Sequence, residues 1–371
     1  MIAAPSLLTM ILGFLLVLGP LVVLHELGHY LVGRLFGIKA DAFSVGFGKE
    51  LAGYTDKRGT RWKLSALPLG GYVQFAGDMN PASAPSPDQD NLSPAERART
   101  FHVKPVWQRA LVVLAGPLTN LICAVLIFAG FNYAFGRIVA VPEVQAFSQG
   151  SSAQAAGMQV GDRIIAVSGN KIESFSEILE YVVPYPGDTV SVAVKRGEQT
   201  LILPVKIGSS VEHDSFGNEA RVGRIGVSGG RGEIVPVGLF EAVPLGVQQS
   251  FATMRMMAAG IVQIVTGQRS VKELGGPIKI AKYSGEQLTL GWLPFVQFAA
   301  LISINLAFIN ILPIPGLDGG HLAFYAAEAV RRKPLALRSQ EWAVRTGVAL
   351  VLSLMLFVTI NDIVSLPFFG G

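Results

Sequence analysis

The chain has 371 residues and a formal net charge of +4; half of it is apolar and only 15% is charged. Soluble domains carry roughly a quarter charged residues, so this balance, with a mean hydropathy of +0.46, excludes both intrinsic disorder and an ordinary soluble enzyme. Lys and Arg are scattered through loops without an aromatic-interleaved basic face, which argues against nucleic acid, and the single cysteine, Cys123, excludes an intrachain disulfide.

Four apolar runs of spanning length follow one another along the chain. Residues 7–24 are uncharged; lacking a basic start and a small-residue cleavage site, they read as a retained membrane helix, with a bend expected at Pro20. The other runs are residues 110–131, 293–312 and 346–360, the last with a softer tail to 366. Residues 245–267 are also fairly apolar but contain Gln248, Gln249, Arg255 and Gln263. A charge at mid-helix depth is costly, so this stretch reads as an interfacial amphipathic helix, not a fifth span.

Orientation follows from Lys and Arg near the span ends, which resist translocation. The 37–105 connection carries nine of them, and the 321–342 connection adds Arg331, Arg332, Lys333 and Arg338, whereas residues 1–24 and 346–371 carry none. Both connections are therefore expected on the cytoplasmic side, with both termini and the long 134–292 segment outside.

Between the first two spans, two strand-like runs within residues 62–75 flank Pro68-Leu69-Gly70-Gly71, a pattern that predicts a hairpin turning on the glycines. Residues 79–99, with Pro81, Pro85, Pro87 and Pro94, read as a linker ending in a short helix from Pro94. From about residue 137 to 208 the texture changes to alternating strands with glycine turns, and 176–183 has helical spacing, which predicts a small α/β-type module. Its run Gly150-Ser-Ser-Ala-Gln-Ala-Ala-Gly157-Met-Gln-Val-Gly161-Asp162, followed by Ile164-Ile165 and Gly169, closely resembles a PDZ domain of the bacterial protease type. Such domains bind extended peptide by strand addition.

The chemistry begins where the first span ends, in His25-Glu26-Leu27-Gly28-His29. Positions i and i+4 of a helix share one face, so two imidazoles can converge on one metal while the carboxylate between them reaches a water. Two histidines satisfied by helix contacts are the plain alternative, a poor fit for ionisable groups placed directly after an apolar run. A catalytic zinc needs a third protein ligand and an open position. Asp318, in Asn310-Ile-Leu-Pro313-Ile-Pro315-Gly-Leu-Asp318-Gly319-Gly320-His321, is the favoured candidate, and His321 is its rival. Pro313 and Pro315 stop the third helix there, and in a four-span topology the first and third spans enter the bilayer in the same sense, bringing His25, His29 and Asp318 to one leaflet. His102 and His213 lie in polar, loop-like context and read as solvated.

His25-Glu26-x-x-His29 in a first span, Asn310-x-x-Pro313-x-Pro315-x-x-Asp318-Gly319 in a later one, and a PDZ-like module between them together resemble the site-2 protease family of intramembrane zinc metalloproteases. The closest resemblance is to its PDZ-bearing regulator of sigma-E protease branch. It spans nearly the whole chain and takes in Gly116-Pro117-Leu118-Thr119-Asn120 in the second span and the 62–75 hairpin, which is similar to that family's membrane re-entrant β-loop. One PDZ-like module is visible, where the best-known member type has two.

The resemblance implies a polytopic α-helical membrane protein with four transmembrane helices, a cytoplasmic-side re-entrant β-hairpin and one inserted extracytoplasmic PDZ domain. The expected boundaries are 1–36 for the first span, 37–105 for the loop with the hairpin at about 54–78, 106–135 for the second span and 136–210 for the PDZ domain. They continue as 211–292 for a linker with the interfacial helix, 293–320 for the third span, 321–342 for a loop and 343–366 for the fourth span.

By the same resemblance, zinc is held by His25, His29 and Asp318, Glu26 is the base, and Asn310 sits beside the site to help hold substrate or the developing oxyanion. The implied activity is cleavage of single-span membrane proteins, such as anti-sigma factors or remnant signal peptides, after a prior extracytoplasmic cut, at a bacterial inner membrane. The implied partners are those substrates, peptide C-termini at the PDZ domain and the bilayer, with no nucleic acid. The competing reading is a membrane-anchored PDZ adaptor with a non-catalytic metal site; Glu26 argues against it, because a structural site needs no base.

Overall fold

The structure, a computed structural model, describes residues 5–77, 93–213, 219–229, 232–267, 270–271, 274–333 and 336–364. The chain divides into two compact units, Met1–Ile127 with Gly276–Ile360, and Phe128–Gly275 with Asn361–Gly371.

The first unit opens with α1 (Leu7–Leu35), capped by Ser6, whose hydroxyl accepts from the Thr9 N–H; the helix runs through Pro20 without interruption. Two long strands follow, β1 (Ala40–Thr55) and β2 (Arg61–Phe75), then α2 (Pro94–Arg97), closed by a reciprocal Ser93–Glu96 capping box, and α3 (Val106–Phe135). Residues 78–92, most of the expected linker, lie outside the described residues.

The hairpin differs from the expectation in where it turns. Ala40 pairs with Phe75 and Thr55 with Arg61, so one long antiparallel hairpin turns at residues 56–60 rather than at Gly70-Gly71. The cause is local: Asp56 accepts the N–H groups of Arg58 and Thr60 on Oδ1 and the Trp62 indole N–H on Oδ2, and Gly59 takes φ +83. The long hairpin curls, because Ala42 to Val45 pair on their other side with Arg61 to Leu64. Gly70 and Gly71 instead serve close approach; a Cβ at Gly70 would strike the Phe47 ring, and one at Gly71 would come within 2.8 Å of the Ser44 carbonyl.

The second unit carries β3 (Arg137–Val139), β4 (Ala146–Phe147), α4 (Ser152–Ala155), β5 (Arg163–Val167), β6 (Asn170–Lys171), α5 (Phe175–Val182), β7 (Thr189–Arg196), β8 (Gln199–Lys206), β9 (Gly208–His213), β10 (Glu219–Arg224), β11 (Val227–Ser228) and β12 (Glu233–Val235). Its largest sheet has order β6-β5-β7-β8, and Ile164, Val167, Ile178, Val192, Val194 and Val205 lie in its core. The module extends beyond the expected boundary at 210, because β11 pairs with β4 and β12 with β3. Strands of two or three residues carry no readable alternation, and their partners lie some 80 to 100 residues upstream, so local pattern could not find them.

The predicted amphipathic stretch is α6 (Leu239–Val265), fastened to α5 by Arg255 Nη2 to Glu180 Oε2 at 2.6 Å and to the turn after α5 by the Gln263 amide donating to the Pro184 carbonyl. It is not among the helices long and apolar enough to cross a membrane. Among the described residues those are four, Leu7–Leu35, Val106–Phe135, Trp292–Ile311 and Ser339–Val364, as the apolar runs predicted.

The first unit resumes with α7 (Pro277–Leu290), which no sequence pattern had singled out, then α8 (Trp292–Ile311), α9 (Asp318–Arg331) and α10 (Leu337–Val364). In lipid no water is expelled when helices meet, so close packing carries the contact. Val17 and Leu21 of α1 pack with Phe295 and Ile302 of α8, and Gly13 lies against the Ser284 backbone of α7, where a Cβ would come to 2.8 Å. The protein is a multi-pass membrane protein whose outward-facing apolar side chains, such as Leu8 at 75% exposure, suit contact with acyl chains.

Candidate metal centre

The helical repeat of α1 places His25 and His29 one turn apart on one face, each 9% exposed, with their Nε2 atoms 3.2 Å apart. His29 Nδ1 lies 2.8 Å from the Val112 carbonyl of α3. A carbonyl can only accept, so Nδ1 carries the proton and Nε2 turns a lone pair toward His25.

Asp318 reaches the same point because α8 stops at Ile311, ahead of Pro313 and Pro315, and the chain reverses through Gly316 at φ +94. The double glycine then lets α9 begin tightly against the end of α8: a Cβ on Gly319 would fall on the carbonyls of Ile311 and Leu312, and one on Gly320 on that of Ile314. Asp318 is the first residue of α9, with Leu317 as its N-cap, so the carboxylate is not a helix cap. Its Oδ2 lies 3.1 Å from His25 Nε2 and its Oδ1 3.6 Å from His29 Nε2. Asp318 Oδ2, on the side facing His25, is buried without a hydrogen-bond partner.

That donor set fits zinc. Tetrahedral Zn–N and Zn–O bonds of about 2.0–2.1 Å put ligand atoms roughly 3.3 Å apart; the two imidazole nitrogens stand 3.2 Å apart, and one ligand atom from each of the three residues lies within 4.8 Å of the others. Among the described residues His25, His29 and Asp318 form the group able to hold a metal ion, and zinc is the cofactor it suits. Asp318 is the third member of that group and the rival His321 is outside it; the His321 ring stands edge-on to Phe324.

Gly116 of α3 makes room for the two rings. A Cβ there would fall on His29 Nε2 and come within 2.8 Å of His25 Nε2. Gly28 of α1 lets α3 come close, since its Cβ would meet the Thr119 hydroxyl and the Ala115 carbonyl. Glu26, partly buried, projects toward the hairpin; a Cβ on Gly71 of β2 would come within 3.0 Å of its Cγ. The base candidate therefore sits between the metal ligands and a strand.

Asn310 lies on α8, where its amide donates to the Leu306 carbonyl one turn back at 3.0 Å. His102 stands edge-on to Phe101, and the His213 side chain lies outside the described residues. Sequence reasoning gave no role to Gly116, the Val112 carbonyl or Asn120. Asn120 is fully buried with its Nδ2 3.3 Å from His25 Nδ1, and Ser303 Oγ of α8 donates to its backbone carbonyl at 2.7 Å. The available signal was an amide in mid-span, where unpaired polar groups are expensive.

The geometry stands beside four likenesses. The sequence pattern of peptidase family M50 matches residues 13–354. A protein of Agrobacterium fabrum assigned by name to the zinc metalloproteases is 44% identical over 96% of each chain, and the metalloprotease MmpA of Caulobacter vibrioides is 35% identical over 96% of each. The solved PDZ domain of an SdrC-like protein from Listeria monocytogenes is 25% identical over 24% of this chain and 84% of that chain, with a TM-score of 0.19.

Proposed function

From membership of peptidase family M50, to which this chain belongs as a zinc metalloprotease, we propose that it hydrolyses peptide bonds within or at the edge of membrane-spanning helices. The observation that carries this reading is the meeting of His25 and His29, on the apolar helix α1, with Asp318, seven residues beyond the end of the apolar helix α8, and with Glu26 beside them. A soluble protease would have no reason to place its ligands there.

Held by these three side chains, zinc supplies Lewis acidity to water and to the scissile carbonyl. Glu26 accepts the proton of the attacking water and delivers it to the leaving amide nitrogen, so the products are a new carboxylate and a new amine with no acyl-enzyme. Burial of both imidazoles keeps their orientation fixed through the cycle. Asn310, one residue from the end of α8, is proposed to hold substrate or the developing oxyanion.

A helical substrate hides its carbonyls in its own hydrogen bonds, so several residues must become extended before attack. The hairpin, whose Gly71 borders Glu26, is proposed to receive that stretch by strand pairing. Substrates with Gly, Pro or small polar residues near the cut are then preferred. The nine Lys and Arg of the 37–105 connection support a cytoplasmic-side active site, and the inserted β-rich module, by its resemblance to PDZ domains, is proposed to bind peptide C-termini outside the membrane. Single-span proteins already trimmed by another protease, as in the regulator of sigma-E protease branch, are the proposed substrates.

The test is the purified chain in lipid vesicles with a labelled single-span peptide, each cut mapped by mass. Cleavage within the span is expected, lost on adding a zinc chelator and restored by zinc. Glu26→Gln should abolish cleavage while retaining zinc; a variant that still cuts overturns the assignment.

A further inference from the structure

Histidine binds a metal through one ring nitrogen, and whatever the other nitrogen meets decides which way the ring points and which nitrogen carries the proton. For His29 the Val112 carbonyl settles this. His25 needs a partner of the same kind: with Nε2 turned toward His29 and Asp318, its Nδ1 must donate, so an acceptor has to face it.

The group facing His25 Nδ1 is the amide of Asn120, with Nδ2 at 3.3 Å. Asn120 is 0% exposed, and its Oδ1 is buried without a hydrogen-bond partner. A half-turn of the amide exchanges the two atoms and answers both deficits, giving the Nδ1–H of His25 an acceptor and the orphaned oxygen a donor. The backbone is held for this purpose, since Ser303 Oγ donates to the Asn120 carbonyl at 2.7 Å and ties α3 to α8, the helix that leads to Asp318.

We propose that Asn120 is a positioning residue of the metal centre, its amide oxygen accepting the Nδ1–H of His25 and holding Nε2 on the point shared with His29 and Asp318. This rests on the zinc reading above. Asparagine suits the position because the same side chain can donate to an unprotonated Nδ1, as in the arrangement observed, and accept from a protonated one after a half-turn. Leucine can do neither.

Zinc affinity of the purified full-length chain, measured by chelator competition, tests this without relying on activity. Asn120→Leu and Asn120→Ala should each weaken zinc binding roughly 10- to 100-fold, the usual cost of losing such a partner, while Asn120→Asp, which keeps an acceptor, should stay within a few-fold of wild type. Cobalt substitution adds a spectroscopic readout: the visible spectrum should shift in the leucine and alanine variants and not in the aspartate one. The alanine variant serves if leucine does not fold. Zinc affinity unchanged in the alanine variant, or lost equally in the alanine and aspartate variants with the metal-free fold intact, overturns the role of Asn120. Failure of wild type itself to bind zinc overturns the metalloprotease reading instead, so the two failures are distinguishable.

Discussion

Replacing Gly116 with alanine separates helix propensity from site geometry, because the two predict opposite signs. In a helix interior alanine is favoured over glycine by about 1 kcal/mol, so a Gly116 with no special neighbour would gain stability on substitution. Here the new Cβ would stand 2.8 Å from His25 Nε2, and closer to His29 Nε2, against an ordinary contact of about 3.5 Å. Rings or helices must therefore move by at least about 0.7 Å, which costs about 1–3 kcal/mol as overpacking. The same movement is several times the ~0.2 Å tolerance of a zinc bond length, so one imidazole leaves the ligand set. The expected outcome is a zinc affinity lower by roughly 100-fold or more, with metal-free thermal stability at or below wild type, read by chelator competition and thermal unfolding in detergent. A variant that binds zinc as wild type does and melts higher would refute the close approach of α3 to the two histidines.

The other predictions reach different parts of the molecule. Arg109 Nη2 meets Glu328 Oε2 at 2.8 Å in a largely buried pair that fixes the start of α3 to α9, the helix carrying Asp318; Arg109→Met should cost about 3–5 kcal/mol in denaturant unfolding by removing the guanidinium from a buried carboxylate. Glu328→Gln with Arg109→Met should recover much of that loss. In the β-rich module the Arg196 guanidinium bonds both oxygens of buried Asp162 and holds its carboxyl below the usual range near 3.9. A depressed folded-state value means the stabilisation is complete above the unfolded value and disappears as pH falls through the folded one. Hydrogen exchange of β5 and β7 in the full chain should thus accelerate only below about pH 4, and Asp162→Asn should remove that acid limb. Gly71→Val, which crowds Glu26 Cγ and the Ser44 carbonyl, should lower turnover of a single-span substrate at least tenfold while sparing zinc affinity; equal losses in both would place Gly71 with the ligands and not with the base.

What could be read before the fold was known divides along physical lines. The spans were legible because lipid imposes length and apolarity on consecutive residues, and His25, Glu26 and His29 because one helical turn relates them. Asp318 needed topology as well: its place depends on α1 and α8 entering in the same sense, and the contact of its carboxylate with His25 agrees with that parity. The hairpin turn went to Gly70-Gly71 because a glycine pair imitates a turn, whereas the real one is built by hydrogen bonds from the Asp56 side chain, which composition does not show. The closing strands β11 and β12 and the helix α7 were missed because their partners are remote in sequence. Gly116 and Asn120 lay in a recognisable run, but glycine is ordinary in membrane helices, and the value of Asn120 depends on which imidazole nitrogen it faces.

The most direct test of the central claim is the X-ray absorption spectrum of the zinc-loaded chain, wild type beside Asp318→Ala. Wild type should show only nitrogen and oxygen neighbours at about 2.0–2.1 Å with the outer-shell pattern of two imidazoles, and Asp318→Ala should lose a first-shell oxygen together with most of its zinc affinity. A sulfur neighbour, or a spectrum and affinity unchanged in Asp318→Ala, would contradict a centre built from His25, His29 and Asp318.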